Sequence, residues 1–310
     1  MSINTNNTVE PRRSAEVAAA DAPTAVLTAA EAPTALPAEV AADLSDPVAA
    51  TMVIKLGYRG ADFSGFAAQT DAVRTVAAEL IRALQIYLHR PVEIVCAGRT
   101  DAGVHALAQH ISLPVYASEL ALGGATIKRA LNALLSDDIS ISAIYRAAPG
   151  FSARFDAQSR TYRYRIADGW TRPVLAYDHA WWLRANPQVD AMNRAAQALV
   201  GEHDFKSFCK AASAVGKSTN RCIYRLQVSR IEEAGESLIA VDICGNAFLH
   251  SMVRTIVGTL VEVGCGRREE SWVAEVLAAK DRRAAGQCAP ARGLVFAQVA
   301  YPQGALEPWE

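Results

Sequence analysis

The chain has 310 residues, of which 51% are hydrophobic and 20% charged, with a formal charge of −1 at pH 7. At roughly 100 to 200 residues per domain, this is room for one large or two moderate domains, and the composition excludes collagen-like and wholly disordered chains. No apolar run approaches the ~20 residues of a membrane-spanning helix, and the start MSINTNNTVEPRRS has no cationic region leading into an apolar one, so neither a span nor a secretory signal is expected.

The near-zero charge conceals an asymmetry. Residues 1–50 carry seven acids (Glu10, Glu16, Asp21, Glu31, Glu39, Asp43, Asp46) against Arg12 and Arg13, leaving 29 basic and 25 acidic side chains for the rest. That mild excess of positive charge suits a polyanionic partner if the arginines cluster. The first 50 residues also hold fifteen alanines and five prolines but no aromatic residue. Such a segment cannot bury enough apolar area to offset its ordering entropy, so it is expected to be a disordered tail, the alternative being a loosely docked alanine helix. Six cysteines at 96, 209, 222, 244, 265 and 288 form no CxxC pair; scattered thiols point to a reducing cytoplasm.

Order is expected from Thr51, where TMVIKLGY alternates as a strand before the turn-prone Arg59-Gly60-Ala61-Asp62. Val73, Val76, Ala77, Leu80, Leu84 and Leu88 then share one helical face. Strands follow at 92–96 and 109–115, separated by a loop with Gly98 and Gly103, then a helix over 121–135 and strands at 139–147 and 159–167. Asn186-Pro187 signals a helix start and Gly201 its stop. Strands at 222–231 and 237–244, a long helix over 248–263 and a final strand at 294–301 complete the pattern. The expected class is α+β, with a tail over 1–50, sheet-plus-helix halves over 51–150 and 151–302, and a short tail over 303–310.

Three segments carry chemistry. In Cys96-Ala97-Gly98-Arg99-Thr100-Asp101-Ala102-Gly103-Val104-His105, two glycines let the backbone turn sharply and push a short carboxylate outward between strands. Asp101 beside Arg99 suits a nucleophile, a general base or a metal ligand; equally, it suits a turn aspartate that satisfies its own backbone. The loop matches neither GxxxxGK[ST] nor a dinucleotide fingerprint. In Ser159-Arg160-Thr161-Tyr162-Arg163-Tyr164-Arg165, alternation puts Arg163 and Arg165 on one strand face and the two tyrosines on the other. Guanidinium groups there could meet phosphates while a ring stacks on a base, or the segment is a strand with one wet and one buried face. Arg254 lies within the apolar helix; if buried, its guanidinium needs a carboxylate, for which Asp101 is the expected partner, and otherwise it is a surface arginine whose head reaches to water. The six histidines form no HExxH or similar pair, so no metal site is expected.

GRTDAGVHA at 98–106, RFDAQSRTYRYRI at 154–166 and GNAFLHSMVRTIVGTLVEVG at 245–264 together resemble the tRNA pseudouridine synthase A family. YRGADFSGFAAQ at 58–69, FCK at 208–210 and APARGLVFAQVAYP at 289–302 match it in order, so the resemblance spans about 51–302. It implies two ferredoxin- or RRM-like α/β halves meeting in a cleft, a homodimer, no cofactor, and isomerisation of uridine in the tRNA anticodon stem-loop, around positions 38–40. The family's catalytic aspartate falls on Asp101, its uracil-stacking tyrosine on Tyr162, the partner of the aspartate on Arg254, and the motif arginine that helps hold the extruded nucleotide on Arg99. Phosphate contacts are expected from Arg154, Arg160 and Lys210, with Arg163 and Arg165 as further candidates. Phe66 and Ala67 stand where the family pattern often has Trp and Gln, and Ala77 where Gln is common.

Overall fold

The computed structural model describes residues 46–69 and 73–310, so the tail expected over 1–50 falls almost wholly outside the described residues. Its last positions already belong to β1 (Val48–Tyr58), which turns Met52, Ile54 and Leu56 into the core. α1 (Val76–Leu88) starts later than periodicity predicts because the Thr75 side chain accepts the Ala78 amide and caps the first turn. His89, in the left-handed region at φ 54°, ends it. β2 (Val95–Cys96) is shorter than expected, and β3 (His105–Tyr116) begins before Gln109. α2 (Gly124–Leu134), β4 (Ile139–Ala147) and β5 (Ser159–Asp168) follow as their patterns predict.

After β6 (Trp181–Leu183), α3 (Val189–Ala196) begins beyond the Asn186-Pro187 signal. The Gln188 amide donates to the Gly264 carbonyl, which holds that stretch extended against the end of a later helix. Gly201, at φ 106°, does not simply stop α3; it opens β7 (Gly201–Asp204). α4 (Ala211–Ala214), β8 (Asn220–Glu233) and β9 (Glu236–Gly245) lead to α5 (Met252–Gly264), which starts four residues beyond the expected Phe248. α6 (Trp272–Ala279), β10 (Leu294–Ala300) and β11 (Glu307–Pro308) end the chain.

Among the described residues one sheet has eleven strands, in the order β11-β4-β1-β3-β10-β5-β9-β8-β7, with β2 added on β3 and β6 on β5. The class is α+β. β10, almost last in sequence, lies in the middle of the sheet, parallel to β3 and antiparallel to β5, and so joins the two expected halves into one continuous sheet. α2 packs on β4, α3 on β8 and α5, and α5 on β5. A single apolar core runs from Met52 and Leu80 through Phe296 to Ile256 and Leu260.

The short tail expected over 303–310 is corrected by β11, which pairs Glu307 with Arg146 and Pro308 with Tyr145 of β4. Trp309 is the reason. Its ring is buried under the Arg146 guanidinium, 4.5 Å from the ring centroid, and the Gly124 amide donates to the Glu310 carbonyl. Only glycine fits at 124, since a Cβ there would lie 2.0 Å from the Trp309 carbonyl oxygen.

Candidate active site

The loop between β2 and β3 is anchored along its length. Arg160 donates to the Ala97 carbonyl, Gln109 to the Gly98 carbonyl, and the Phe66 amide to the Thr100 carbonyl. The Tyr58 and Thr100 hydroxyls share a 2.7 Å hydrogen bond, and the Gly103 amide reaches the Phe63 carbonyl. Gly103, at φ +77°, makes the reversal that lets the Val104 amide close on the Asp101 carbonyl. The opening motif YRGADFSGF thus buttresses the aspartate loop, and the position of Asp101 is set by neighbours that are themselves hydrogen-bonded.

Asp101 faces the start of α5. Arg254 Nη1 and Ser251 Oγ both donate to its Oδ2, at 2.8 and 2.9 Å, and His250 Nε2 lies 3.3 Å from Oδ1. Arg254 is fixed in turn by its Nε, which donates to the Ala289 carbonyl at 2.8 Å. Ser251, the residue before α5, has φ 59° and ψ 12°, a left-handed conformation that costs a non-glycine residue roughly 1–2 kcal/mol. That break explains why α5 starts at Met252. Phe248, Leu249 and His250 remain irregular and line a cleft of about 600 Å³ shared with Asp101 and Tyr162.

Tyr162 sits on β5 directly opposite Phe296 of β10 and Ile243 of β9. Its ring stacks on Phe296 with centroids 4.7 Å apart and meets the edge of Phe248 at 5.1 Å. Burial pushes its phenol well above the usual tyrosine range, with Tyr58 and Asp101 adding to the effect and Arg160 opposing it. The hydroxyl is therefore a neutral group at physiological pH, suited to stacking and hydrogen bonding more than to proton abstraction.

The other expected binding residues separate into groups. Arg99 and Arg154 are exposed and line the cleft. Arg160, expected to hold phosphate, also lines it but is buried, and its guanidinium donates to four carbonyls, those of Ala97, Ala157, Asn246 and Arg154. Its role in the fold is to tie β5 to the aspartate loop. Arg163 and Arg165 are corrected outright: they pair with Asp242 and Glu233 outside this cleft, because alternation turns them to the opposite sheet face from Tyr162. Lys210 is not among the cleft-lining residues; its amide donates to the His250 carbonyl.

Sequence reasoning missed Ser251, His250, Lys217 and Arg221, all of which line the cleft. A serine and a histidine preceding an apolar helix carry no local signature of contact with a carboxylate 150 positions away. His105 and His110 are buried. Burial pushes both rings down to about 4, helped at His105 by His179 and at His110 by Lys55, so they are neutral packing groups. Among the described residues no group of three His, Cys, Asp or Glu side chains is placed to hold a metal, and no helix is long and apolar enough to cross a membrane.

A family model described as tRNA pseudouridine synthase matches residues 195–302. The tRNA pseudouridine synthase A of Brevibacillus brevis is 43% identical over 246 residues, which cover 79% of this chain and 97% of that protein. That of Pectobacterium atrosepticum is 40% identical over 265 residues, 84% of this chain and 90% of its own length. The corresponding protein of Stenotrophomonas maltophilia is 40% identical over 247 residues, 79% and 93% respectively. The stretch matched by the family model contains α5 and β10, two of the elements that build the cleft. The chain belongs to the tRNA pseudouridine synthase A family, and it is an isomerase with a pseudouridine synthase fold.

Proposed function

We propose that this enzyme isomerises uridine to pseudouridine in the anticodon stem-loop of tRNA, around positions 38–40, with Asp101 as its catalytic carboxylate. The observation that carries the reading is the setting of Asp101: a carboxylate held by Arg254 and Ser251 in a cleft that also contains the Tyr162 ring.

The chemistry explains the residue types. The N1–C1′ bond breaks, a C5–C1′ bond forms, C5 gives up its proton and N1 takes one up, so atoms balance without a cofactor. The carboxylate can attack C1′, add to C6 or assist departure of the base, and every route needs it ionised and fixed in direction. Arg254 supplies both conditions, since a guanidinium beside a carboxylate favours the charged form. The uracil has to stay in the cleft while it turns, which calls for an apolar platform and exclusion of water. Tyr162, backed by Phe296 and edged by Phe248, is that platform.

Extruding the uridine from the stem costs a few kcal/mol of stacking. Arg99 and Arg154, exposed on the cleft, hold the extruded nucleotide and its flanking phosphates, with Lys210 farther out. Recognition through shape and phosphate suits a stem-loop. The working form is a cytoplasmic homodimer, as the family resemblance implies.

Tritium release from tRNA labelled at uridine C5 tests the proposal. Release by the wild type and none by Asp101→Asn supports it; accumulation of free uracil marks a hydrolase and overturns it.

A further inference from the structure

Three arginines with buried or half-buried guanidinium groups line the cleft, and two of them are accounted for. Arg254 pairs with Asp101 and the Ala289 carbonyl, and Arg160 donates to four carbonyls. Arg221, at the start of β8, differs. Its Nη1 donates to the Ser218 and Asn220 carbonyls at 3.1 and 2.6 Å, but its Nε is buried and has no hydrogen-bond partner. Among the described residues no carboxylate pairs with it. Burial pushes its pKa below the usual guanidinium range, and the one opposing influence is the Cys209 thiol, not an acid.

The edge of a guanidinium formed by Nε and Nη2 is the edge that grips oxyanions bidentately. Arg163 uses it in this protein, with Nε and Nη2 at 2.8 and 2.9 Å from the two oxygens of Asp242. In Arg221 that edge meets no oxyanion among the described residues; Nε is closed off from solvent, so an anion arriving from the cleft meets this half-buried guanidinium through Nη2. A partly desolvated cation without an acidic partner is stabilised when an anion arrives. Lys217, exposed and four positions earlier, lines the same cleft and adds a second positive charge that no carboxylate pairs with among the described residues. Among the described residues the one carboxylate lining the cleft, Asp101, is already engaged by Arg254.

We propose that Arg221, supported by Lys217, binds a backbone phosphate of the RNA next to the extruded uridine. This deepens the proposed function and rests on it. The anion is a phosphodiester because the substrate class carries one such group per nucleotide, and extrusion of one nucleotide brings its neighbouring phosphates to the cleft mouth. Arg221 then acts on binding and on the register of the base over Tyr162; it takes no part in bond making.

The experiment measures tRNA affinity of wild type, Arg221→Gln, Arg221→Lys and Lys217→Gln between 50 and 300 mM KCl, together with kcat and KM for tritium release. A phosphate contact is lost as a counterion-release event, so Arg221→Gln lowers the slope of log affinity against log salt by about 1 and raises KM by roughly tenfold. Arg221→Lys restores the slope but not the full affinity, because the charge returns without the fork. Lys217→Gln, an exposed site where folding is not at risk, lowers the slope as well. An unchanged slope in Arg221→Gln and Lys217→Gln overturns the inference, even if Arg221→Gln binds weakly, since a structural defect alone leaves the count of released ions intact. Absence of tritium release by the wild type instead overturns the underlying functional reading.

Discussion

Arg254 Nη1 lies 2.8 Å from Asp101 Oδ2, a contact between residues 153 positions apart that joins the first turn of α5 to the loop before β3. The guanidinium is held from behind by the Ala289 carbonyl, so the pair has little freedom to rotate. Positioning of this kind governs rate more than affinity, because a displacement of about 1 Å in a reacting group costs roughly 10²-fold. Arg254→Gln should therefore lower kcat by about that factor with KM changed less than threefold, in single-turnover tritium release. Asp101→Asn should show no turnover while binding tRNA within about tenfold of wild type. A folded Asp101→Asn with substantial turnover would remove the carboxylate from the reaction.

Tyr162 is packed between Phe296 and Phe248, and burial raises its phenol pKa. Its ring is part of the core and, in the proposed reading, the platform for uracil, and its hydroxyl is not available as phenolate near neutral pH. Tyr162→Phe should keep tRNA affinity and melting temperature close to wild type, with any loss confined to kcat. Tyr162→Ala should lower stability by about 3 kcal/mol, as expected for an aromatic side chain removed from a core. Calorimetry beside filter binding separates the two effects; a large affinity loss in Tyr162→Phe contradicts the stacking role.

Ser251 sits in the left-handed region while donating to Asp101. The strain and the hydrogen bond are separable by mutation. Asparagine tolerates that backbone and carries a donor, so Ser251→Asn should retain activity within about threefold. Ser251→Gly removes the strain and the donor together, and should melt no lower than wild type while losing roughly tenfold in kcat. Full activity in Ser251→Gly would show that Arg254 alone orients the carboxylate.

Burial, aided by His179, pushes His105 down to about 4, and burial likewise lowers His110 to about 4. In the unfolded chain an imidazole titrates near 6.5. Between those values the unfolded state binds more protons, so stability is complete above about pH 6.5 and falls as pH drops toward 4. Each ring contributes up to roughly 3 kcal/mol over that window. Urea midpoints should fall steadily from pH 7 to pH 5, and a His110→Gln variant should show a shallower decline. A flat profile would mean that these rings gain protons without unfolding the protein.

The parts legible in the sequence are those set by local rules. The alternation of TMVIKLGY predicts a strand, the spacing of Leu80 and Leu84 predicts the face of α1, and Gly98 and Gly103 predict a sharp loop that presents Asp101. Arg254, a charge inside an apolar helix, points to an acid elsewhere. The boundaries that differ have tertiary causes: α3 is delayed by the Gln188 bond to Gly264, and Trp309 draws the C-terminal residues onto β4.

By itself, then, the sequence determined the class of fold and the glycine-bounded loop that presents Asp101, because each depends on residue type and on neighbours within a few positions. Only the tertiary structure decided which basic side chains face the cleft. Arg160, Arg163 and Arg165 are all basic residues of β5, yet the first is consumed by backbone carbonyls and the others by Asp242 and Glu233. Lys217 and Arg221, without any marked motif, are brought to the lining of the cleft that holds Asp101. A charge acts through whatever partner lies within a few ångströms, and for these residues that partner is chosen by strand pairing and helix packing across distant stretches of chain.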